Sequence, residues 1–181
     1  MMNDKLTGIS PLIEKLRRRY DEAKKVRVLF VCLGNICRSP AAQGILQAVV
    51  DSEGDSDRWE IDSAGIGGWH VGDLPDKRMR VHASRRGYTL DHICRQVREA
   101  DFDRFDIIIG MDDNNVDALK RMAPTVEAAA KVVPMVTFVQ TVAYCGCIPD
   151  PYYDGAEGFE RVLTLLEDGC DNLARIVRDK R

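Results

Sequence analysis

The chain has 181 residues, of which 45% are hydrophobic and 30% charged, and this balance is typical of one soluble domain with a full apolar core. The formal net charge of −3 argues against nucleic acid as a partner, because a sequence-independent nucleic-acid binder is usually basic. No run of 18 apolar residues occurs, and the first 25 residues lack the apolar stretch of a secretory signal. We therefore predict no membrane insertion and a cytoplasmic location.

Six cysteines are present, and in a reducing compartment we expect them to be thiols. Cys145 and Cys147 form a C-x-C pair, but the sequence offers neither a second pair nor a well-placed histidine to complete a zinc site. We therefore predict no metal centre. Four cysteines are interpreted as structural: Cys94, Cys145, Cys147 and Cys170.

Residues 1–25 precede the predicted domain, which spans residues 26–181. Ser10-Pro11 is typical of a helix start, and apolar residues recur after it at helical spacing. The opposite face is basic: Lys15, Arg17, Arg18 and Arg19. We predict an amphipathic helix that lies on the domain with a solvated basic face, and a docking arm is the alternative.

Strands and helices alternate along the rest of the chain. Four segments are predicted strands: Val26–Val31, Trp59–Ser63, Asp106–Met111 and Lys131–Pro134. Four segments are predicted helices: Ser39 to about Val50, Asp76–Arg86, Asp112–Met122 and a last helix with an apolar stripe from Phe159 to Val177. This order predicts an α/β fold, a single four-stranded parallel sheet with helices on both faces and an extra N-terminal helix. Ligands bind beyond the C-terminal ends of such strands, which is where Cys32 lies.

The segment from Cys32 to Ser39 joins the first strand to the next helix. The spacing C-x5-R is weak evidence by itself, because six cysteines give one such match by chance about half the time. Its context is specific, because Gly34 permits a tight turn and consecutive N–H groups before a helix form an anion-binding nest. Arg38 would add a planar fork for phosphate oxygens, and the same field would stabilise a thiolate at Cys32. The nucleotide-binding string G-x4-G-K-[ST] is absent.

A second polar segment, Asp150-Pro151-Tyr152-Tyr153-Asp154-Gly155, lies near the other end of the chain. Asp150 is placed to protonate the leaving group of a phosphate ester, and the two tyrosines could wall a slot for an aromatic ring. The hexapeptide is also an ordinary β-turn sequence. Taken alone, it leaves both interpretations open.

Together, the string VCLGNICRSP at Val31–Pro40 and the string DPYY at Asp150–Tyr153 resemble the low-molecular-weight protein tyrosine phosphatase family. The resemblance runs from about Val26 to the C-terminus and leaves the first 25 residues outside. Further matching stretches are Ile61–Gly65, Trp69, Gly72, Pro75-Asp76, Arg95-Gln96 and Met111-Asp112. Without the resemblance, Asp112 is only an acidic residue at a predicted helix start, where it favours the helix dipole.

The resemblance implies a role for each matching residue. Cys32 would form a phosphocysteine intermediate, Arg38 would clamp the phosphoryl group, and Ser39 would hydrogen-bond the thiolate. Asp150 would act as general acid and then as general base. The implied substrate-binding set is Leu33, Gly34, Asn35, Ile36, Cys37, Trp69, Tyr152 and Tyr153. Ser63 and His92 would support Asn35, and Cys37 would form a reversible disulfide with Cys32. No metal or other cofactor is implied.

The resemblance implies tyrosine-phosphorylated proteins as substrates, with a bacterial tyrosine kinase as one partner if the source is bacterial. Two alternatives stay open. A thioredoxin-coupled arsenate reductase shares this loop, but its relay needs two further cysteines where this chain offers only Cys94. An inactive phosphotyrosine-binding module would bind phosphate without turnover.

Overall fold

Four parallel strands form the centre of the computed structural model, which describes residues 6–141 and 146–179. They are β1 (Val26–Cys32), β2 (Trp59–Gly65), β3 (Ile107–Gly110) and β4 (Val132–Pro134). Their spatial order is β2-β1-β3-β4, and each neighbouring pair is parallel. The predicted four-stranded parallel sheet is confirmed, and its two central strands, β1 and β3, are apolar segments rich in β-branched residues that suit a sheet buried on both faces.

Seven helices lie in the described residues. They are α1 (Ser10–Asp21), α2 (Arg38–Ser52), α3 (Lys77–Arg85), α4 (Asp101–Arg104), α5 (Asp113–Met122), α6 (Val126–Ala129) and α7 (Ala156–Arg178). Short 3-10 turns span Ser56–Arg58 and Met135–Thr137. The sequence did not predict α4 and α6, because four residues are too few to show a helical period.

The two faces of the sheet pack against different helices. Side chains that alternate along β1 define them, since Val28 and Phe30 belong to one apolar cluster and Leu29 and Val31 to the other. The first cluster includes residues of α1, α2, α3 and α7, and the second includes residues of α4, α5 and α6. The helices therefore cover both faces, as predicted.

The N-terminal helix α1 packs onto the first cluster through the buried side chains of Ile13 and Leu16. Two of its basic residues also bind the domain. The Nε atom of Arg17 donates to the carbonyl of Ile176 at 2.8 Å, and Arg19 pairs with Asp106 at 3.0 Å. The predicted extra helix is thus confirmed as a packed element, while the boundary between residues 25 and 26 stays a prediction.

The C-terminal ends of the strands place the loop that follows β1. Cys32 is in register with Gly65, the last residue of β2. A Cβ atom on Gly65 would lie 2.9 Å from the carbonyl carbon of Gly34, so only glycine lets the end of β2 approach the loop this closely.

No described helix is both long and apolar enough to cross a membrane. Cys145, one of the C-x-C pair, lies outside the described residues.

Candidate active site

In the loop between β1 and α2, the main-chain carbonyls and the main-chain N–H groups are bonded differently. Its carbonyls are engaged by neighbouring segments: those of Cys32 and Leu33 accept from the N–H groups of Ile66 and Gly67, both at 2.9 Å. The N–H groups of residues 33–38, by contrast, donate to no acceptor among residues 6–141 and 146–179. Six free donors at the N-terminus of a 15-residue helix form a strong site for an anion.

Asn35 holds this loop in shape. Its φ of 59° is in the left-handed region, which asparagine tolerates better than most residues. Its buried side chain is fully used: Nδ2 donates to the hydroxyl oxygens of Ser39 and Ser63, both at 2.9 Å. Its Oδ1 accepts from the main-chain N–H of Arg95 at 3.0 Å and lies 3.0 Å from Nε2 of His92. The structure therefore brings the predicted supporting residues Ser63 and His92 onto Asn35.

Cys32 ends β1 with its sulfur beside the hydroxyl of Ser39, at an Sγ–Oγ distance of 3.0 Å. The same hydroxyl lies 3.3 Å from the carbonyl of Ala64 and accepts from Asn35. Cys32 is only 3% exposed, and it lines the pocket above the loop. The sulfur of Cys32 therefore has the Ser39 hydroxyl, in the first turn of α2, as a direct polar neighbour.

Arg38 lies beneath the pocket with its guanidinium held by three acceptors. Nη1 donates to Asp112 at 2.6 Å and to the carbonyl of Ile148 at 3.1 Å, and Nη2 donates to Asp150 at 3.0 Å. Burial acts to lower the pKa of Arg38, but the charges of Cys32, Asp112 and Asp150 outweigh burial and raise it. The residue is therefore a fixed cation at the base of the site.

The loop that carries Asp150 is both a turn and part of the site. The N–H of Tyr152 donates to Oδ1 of Asp150 at 3.1 Å, and the N–H of Asp154 donates to the carbonyl of Pro151 at 2.9 Å. Because this turn fixes the backbone, the other carboxylate oxygen of Asp150 reaches Arg38. The two interpretations of the hexapeptide are thus compatible.

A pocket of about 250 Å³ opens above Cys32. Its lining contains most of the predicted binding residues: Leu33, Gly34, Ile36, Cys37, Trp69, Tyr152 and Tyr153. Trp69 and Tyr153 are 71% and 94% exposed and stand at the rim. Tyr152 and Tyr153 meet edge to face, with centroids 4.9 Å apart. An aromatic rim over an anion-binding floor suits a ligand with an aromatic ring and a phosphate.

Arg78 on α3 connects the Asp150 loop to the rest of the site. It donates to the carbonyl of Tyr152 at 3.0 Å, pairs with Asp76 at 2.9 Å, and stacks on the ring of Tyr152 at 5.3 Å. The N–H of Asp76 in turn donates to the carbonyl of Ile36 at 2.8 Å. Arg78 therefore couples the Asp150 loop to the Cys32 loop.

The model of the family described as low molecular weight phosphotyrosine protein phosphatase matches residues 27–181. The chain belongs to this family. A low molecular weight protein-tyrosine-phosphatase of Streptomyces coelicolor is 42% identical over 155 residues, which cover 85% of this chain and 94% of the relative. A crystal structure of a protein tyrosine phosphatase from Entamoeba histolytica is similar with a TM-score of 0.80 and 42% identity, and the match covers 83% of this chain and 95% of that one.

A Drosophila arginine phosphatase is also structurally similar. Its TM-score is 0.77 and its identity 31%, and the match covers 85% of this chain and 99% of that one. One structural neighbour of this chain is therefore named an arginine phosphatase and not a tyrosine phosphatase.

Motif-based reasoning missed two residues of this site, Asp112 and His70. Asp112 caps α5 by accepting from the N–H of Asn115 at 2.8 Å, and its other oxygen binds Arg38. The stretch Met111-Asp112, one of those that resemble the family, was the available signal. His70 also lines the pocket, with its ring next to Gly34 and its Nδ1 3.6 Å from Asp73. No sequence signal singled it out.

Two further thiols adjoin the Cys32 loop of this family member. Cys37 lines the pocket yet is buried, and burial together with the charges of Asp76 and Cys32 raises its pKa well above that of an ordinary thiol. Cys94 donates its S–H to the carbonyl of Asn35 at 2.8 Å, and burial raises its pKa to about 11. Both are therefore protonated at neutral pH.

Proposed function

We propose that this phosphatase hydrolyses phosphotyrosine in proteins through a phosphocysteine intermediate on Cys32. The observation that carries the proposal is that the main-chain N–H groups of residues 33–38, which follow Cys32 directly, donate to no acceptor among the described residues, while Cys32 and Arg38 line the same pocket. This arrangement binds a phosphate dianion and favours an ionised sulfur at the same place. No described residue is needed as a metal ligand in this chemistry.

In the first step, the N–H groups and Arg38 bind the phosphate oxygens, and the Cys32 thiolate attacks phosphorus from the side opposite the leaving group. The S–P bond forms as the bond from phosphorus to the tyrosine oxygen breaks. Asp150, in its protonated form, gives its proton to the departing phenolate. The donors of the loop stabilise the charge on the transferring phosphoryl group.

In the second step, Asp150 is a carboxylate and takes a proton from water. The water oxygen attacks phosphorus, the S–P bond breaks, and inorganic phosphate leaves. The hydroxyl of Ser39, 3.0 Å from the sulfur, stabilises the thiolate that is released. The cycle then returns to its starting state.

The pocket supports an aryl ester as substrate. Cys32 is only 3% exposed, whereas Trp69 and Tyr153 stand at the rim. A phosphotyrosine side chain is long enough to place phosphorus at the sulfur while its ring contacts these aromatic residues. A phosphoserine is shorter, so its phosphorus would not reach the sulfur with the peptide at the rim.

Phosphoarginine is a second candidate substrate, because a structural neighbour at 31% identity is named an arginine phosphatase. The two substrates are separated by comparing kcat/KM for a phosphotyrosine peptide and a phosphoarginine peptide of otherwise equal sequence. We expect the phosphotyrosine peptide to be preferred. A clear preference for phosphoarginine would reassign the substrate without changing the nucleophile.

The finer assignments extend this proposal. We place the enzyme in the cytoplasm, where tyrosine-phosphorylated proteins, including a bacterial tyrosine kinase if the source is bacterial, are its substrates.

We also assign Cys37 a protective role. Peroxide would oxidise the Cys32 thiolate to a sulfenic acid, and the thiol of Cys37 would attack that sulfur, forming an S–S bond and releasing water. Both cysteines line the same pocket, which supports this step.

Replacement of the nucleophile is the decisive experiment. We expect Cys32→Ser to bind inorganic phosphate but to lower kcat for p-nitrophenyl phosphate by at least about 10³-fold, because no phosphocysteine forms. Cys170→Ala, which alters a buried thiol of α7, is the control and keeps its activity. If the wild-type protein binds vanadate without hydrolysing any aryl phosphate, the chain is a binding module. If it oxidises thioredoxin in the presence of arsenate, it is a reductase.

A further inference from the structure

The exposed face of α3 carries a cluster of unpaired positive charge. Five lysine and arginine residues lie on or directly after this helix, and two of them are neutralised: Arg78 pairs with Asp76 and Arg86 pairs with Glu160 and Glu167. The other three are Lys77, Arg80 and Arg85. In the part of the chain that the structure describes, none of these three forms an ion pair.

These three residues surround one shallow depression of about 380 Å³, together with Val81 and Ser84. Val81 is 42% exposed, and the side chain of Arg80 is steered by a hydrogen bond from its Nε to the carbonyl of Pro75 at 3.0 Å. We call this surface the α3 basic face. It stands out because the whole chain has a net charge of −3. A local cluster of this sign attracts acidic ligands and speeds their association.

The α3 basic face begins at the substrate pocket. The N–H of Asp76, which caps α3, donates to the carbonyl of Ile36 in the Cys32 loop, and Arg78 holds Tyr152 at the pocket rim. Lys77 lies between them in the chain. The nine residues of α3 extend about 13 Å, which is the length of about four residues of an extended peptide. A substrate bound in the pocket can therefore reach the whole face.

We propose that the α3 basic face binds acidic residues that flank the phosphorylated residue of a protein substrate. The inference rests on the proposed function and adds a specificity surface to it. Lys77 and Arg85 supply the charges that are free to pair, and the exposed methyl groups of Val81 supply a small apolar contact between them. Such rim charges contribute through association and register, so their effect depends on salt.

The test compares peptides and charge-reversed enzymes. Three phosphotyrosine peptides are needed: one with Asp and Glu within four positions on the N-terminal side, one with them on the C-terminal side, and one with neutral flanks. We expect wild-type kcat/KM to be higher for at least one acidic peptide, mainly through KM. The double variant Lys77→Glu, Arg85→Glu should lower that kcat/KM by about 5- to 30-fold. About 1 M salt, where the Debye length is about 3 Å, should remove most of the preference.

The double variant Lys120→Glu, Arg121→Glu is the matched control, since it changes the net charge equally at exposed positions at the far end of α5. The inference is overturned if the two double variants lower peptide hydrolysis equally, or if wild type treats all three peptides alike. Inhibition of peptide hydrolysis by duplex DNA but not by polyglutamate would also overturn it, because the face would then bind nucleic acid.

Hydrolysis of p-nitrophenyl phosphate separates the two proposals. Both double variants should hydrolyse this small aryl phosphate at the wild-type rate, since none of the four residues lines the pocket. Loss of this activity in the Lys77→Glu, Arg85→Glu enzyme would mean that the site itself had been disturbed and would contradict a role limited to flanking residues. Absence of aryl phosphate hydrolysis in wild type would instead refute the proposed function.

Discussion

Arg38 and Asp150 are joined across the pocket, with Nη2 of the arginine donating to Oδ2 of the aspartate at 3.0 Å. The two residues are 112 positions apart in the sequence. In the proposed reaction the phosphate takes over this donor, and Asp150 then faces the leaving oxygen. In that reaction, substrate binding and the position of Asp150 would be coupled through this one hydrogen bond.

Asp150→Asn should reveal the proton transfer. The amide oxygen keeps an acceptor for the N–H of Tyr152 but supplies no acidic proton, so we expect kcat to fall by about 10²- to 10⁴-fold for phenyl phosphate. The loss should be smaller for p-nitrophenyl phosphate, whose leaving group needs less protonation. Asp154→Asn, on the same exposed turn, is the control. Equal losses for all leaving groups would contradict an acid role for Asp150.

Asp112→Asn should weaken the clamp while leaving the helix cap in place. Asparagine caps a helix about as well as aspartate, so α5 keeps its N-terminus, but Arg38 loses its 2.6 Å charged partner. We expect kcat/KM for aryl phosphates to fall by about 10- to 100-fold because the guanidinium is less well positioned. Asp112→Ala should lose about 1 kcal/mol more in stability, measured by urea unfolding. Wild-type kcat/KM in the asparagine variant would show that Asp112 is only a cap.

Arg78→Lys should loosen the Asp150 loop. Lysine keeps the charge beside Asp76 but has no planar group to stack on Tyr152 while donating to its carbonyl. We expect kcat to fall by about 3- to 10-fold for poor leaving groups, with a smaller change in KM. Arg104→Lys is the control, since Arg104 also stacks on an aromatic ring and pairs with Glu60, away from the pocket. A loss that is equal for good and poor leaving groups would not fit this role.

Cys37→Ser should remove protection from oxidation. Mild peroxide should inactivate wild type reversibly, because the disulfide between Cys32 and Cys37 is reduced by added thiol. The variant should recover much less, because its sulfenic acid is oxidised further. Activity after dithiothreitol treatment and mass spectrometry of the Cys32 peptide measure both outcomes. Cys94→Ser serves as the comparison, and equal recovery of all three proteins would refute the role of Cys37.

The pH dependence of the free energy of unfolding should reveal that folding buries His92. Burial lowers the pKa of His92, against the opposing effect of Asp62, while Arg95 and Asp91 are the other charged groups near its ring. The unfolded chain then binds a proton at His92 more readily than the folded protein does. His92 therefore contributes to stability above about pH 6.5, and this contribution is lost as the pH falls below that value. We expect the advantage of wild type over His92→Gln in urea unfolding to shrink between about pH 8 and pH 5.5. An advantage that grows on acidification would have the wrong sign.

Local patterns in the sequence determined the strands, the longer helices and the centre of the site. The apolar run of β1, the glycine after it and the helix start at Ser39 are neighbours in the chain, so their geometry follows from backbone rules that act over a few residues. The same rules located Asp150 on a turn. They did not place that turn over Cys32; only the family resemblance suggested it.

The tertiary structure alone decided which distant groups meet. Asp112 binds Arg38, which is 74 positions away in the sequence. Arg78 donates to the carbonyl of Tyr152, which is also 74 positions away. These contacts depend on the strand order and on how α3 and α5 pack, which no local period encodes. The unpaired charge of the α3 basic face is of the same kind, because whether a basic residue is neutralised depends on the acidic residues that folding brings beside it.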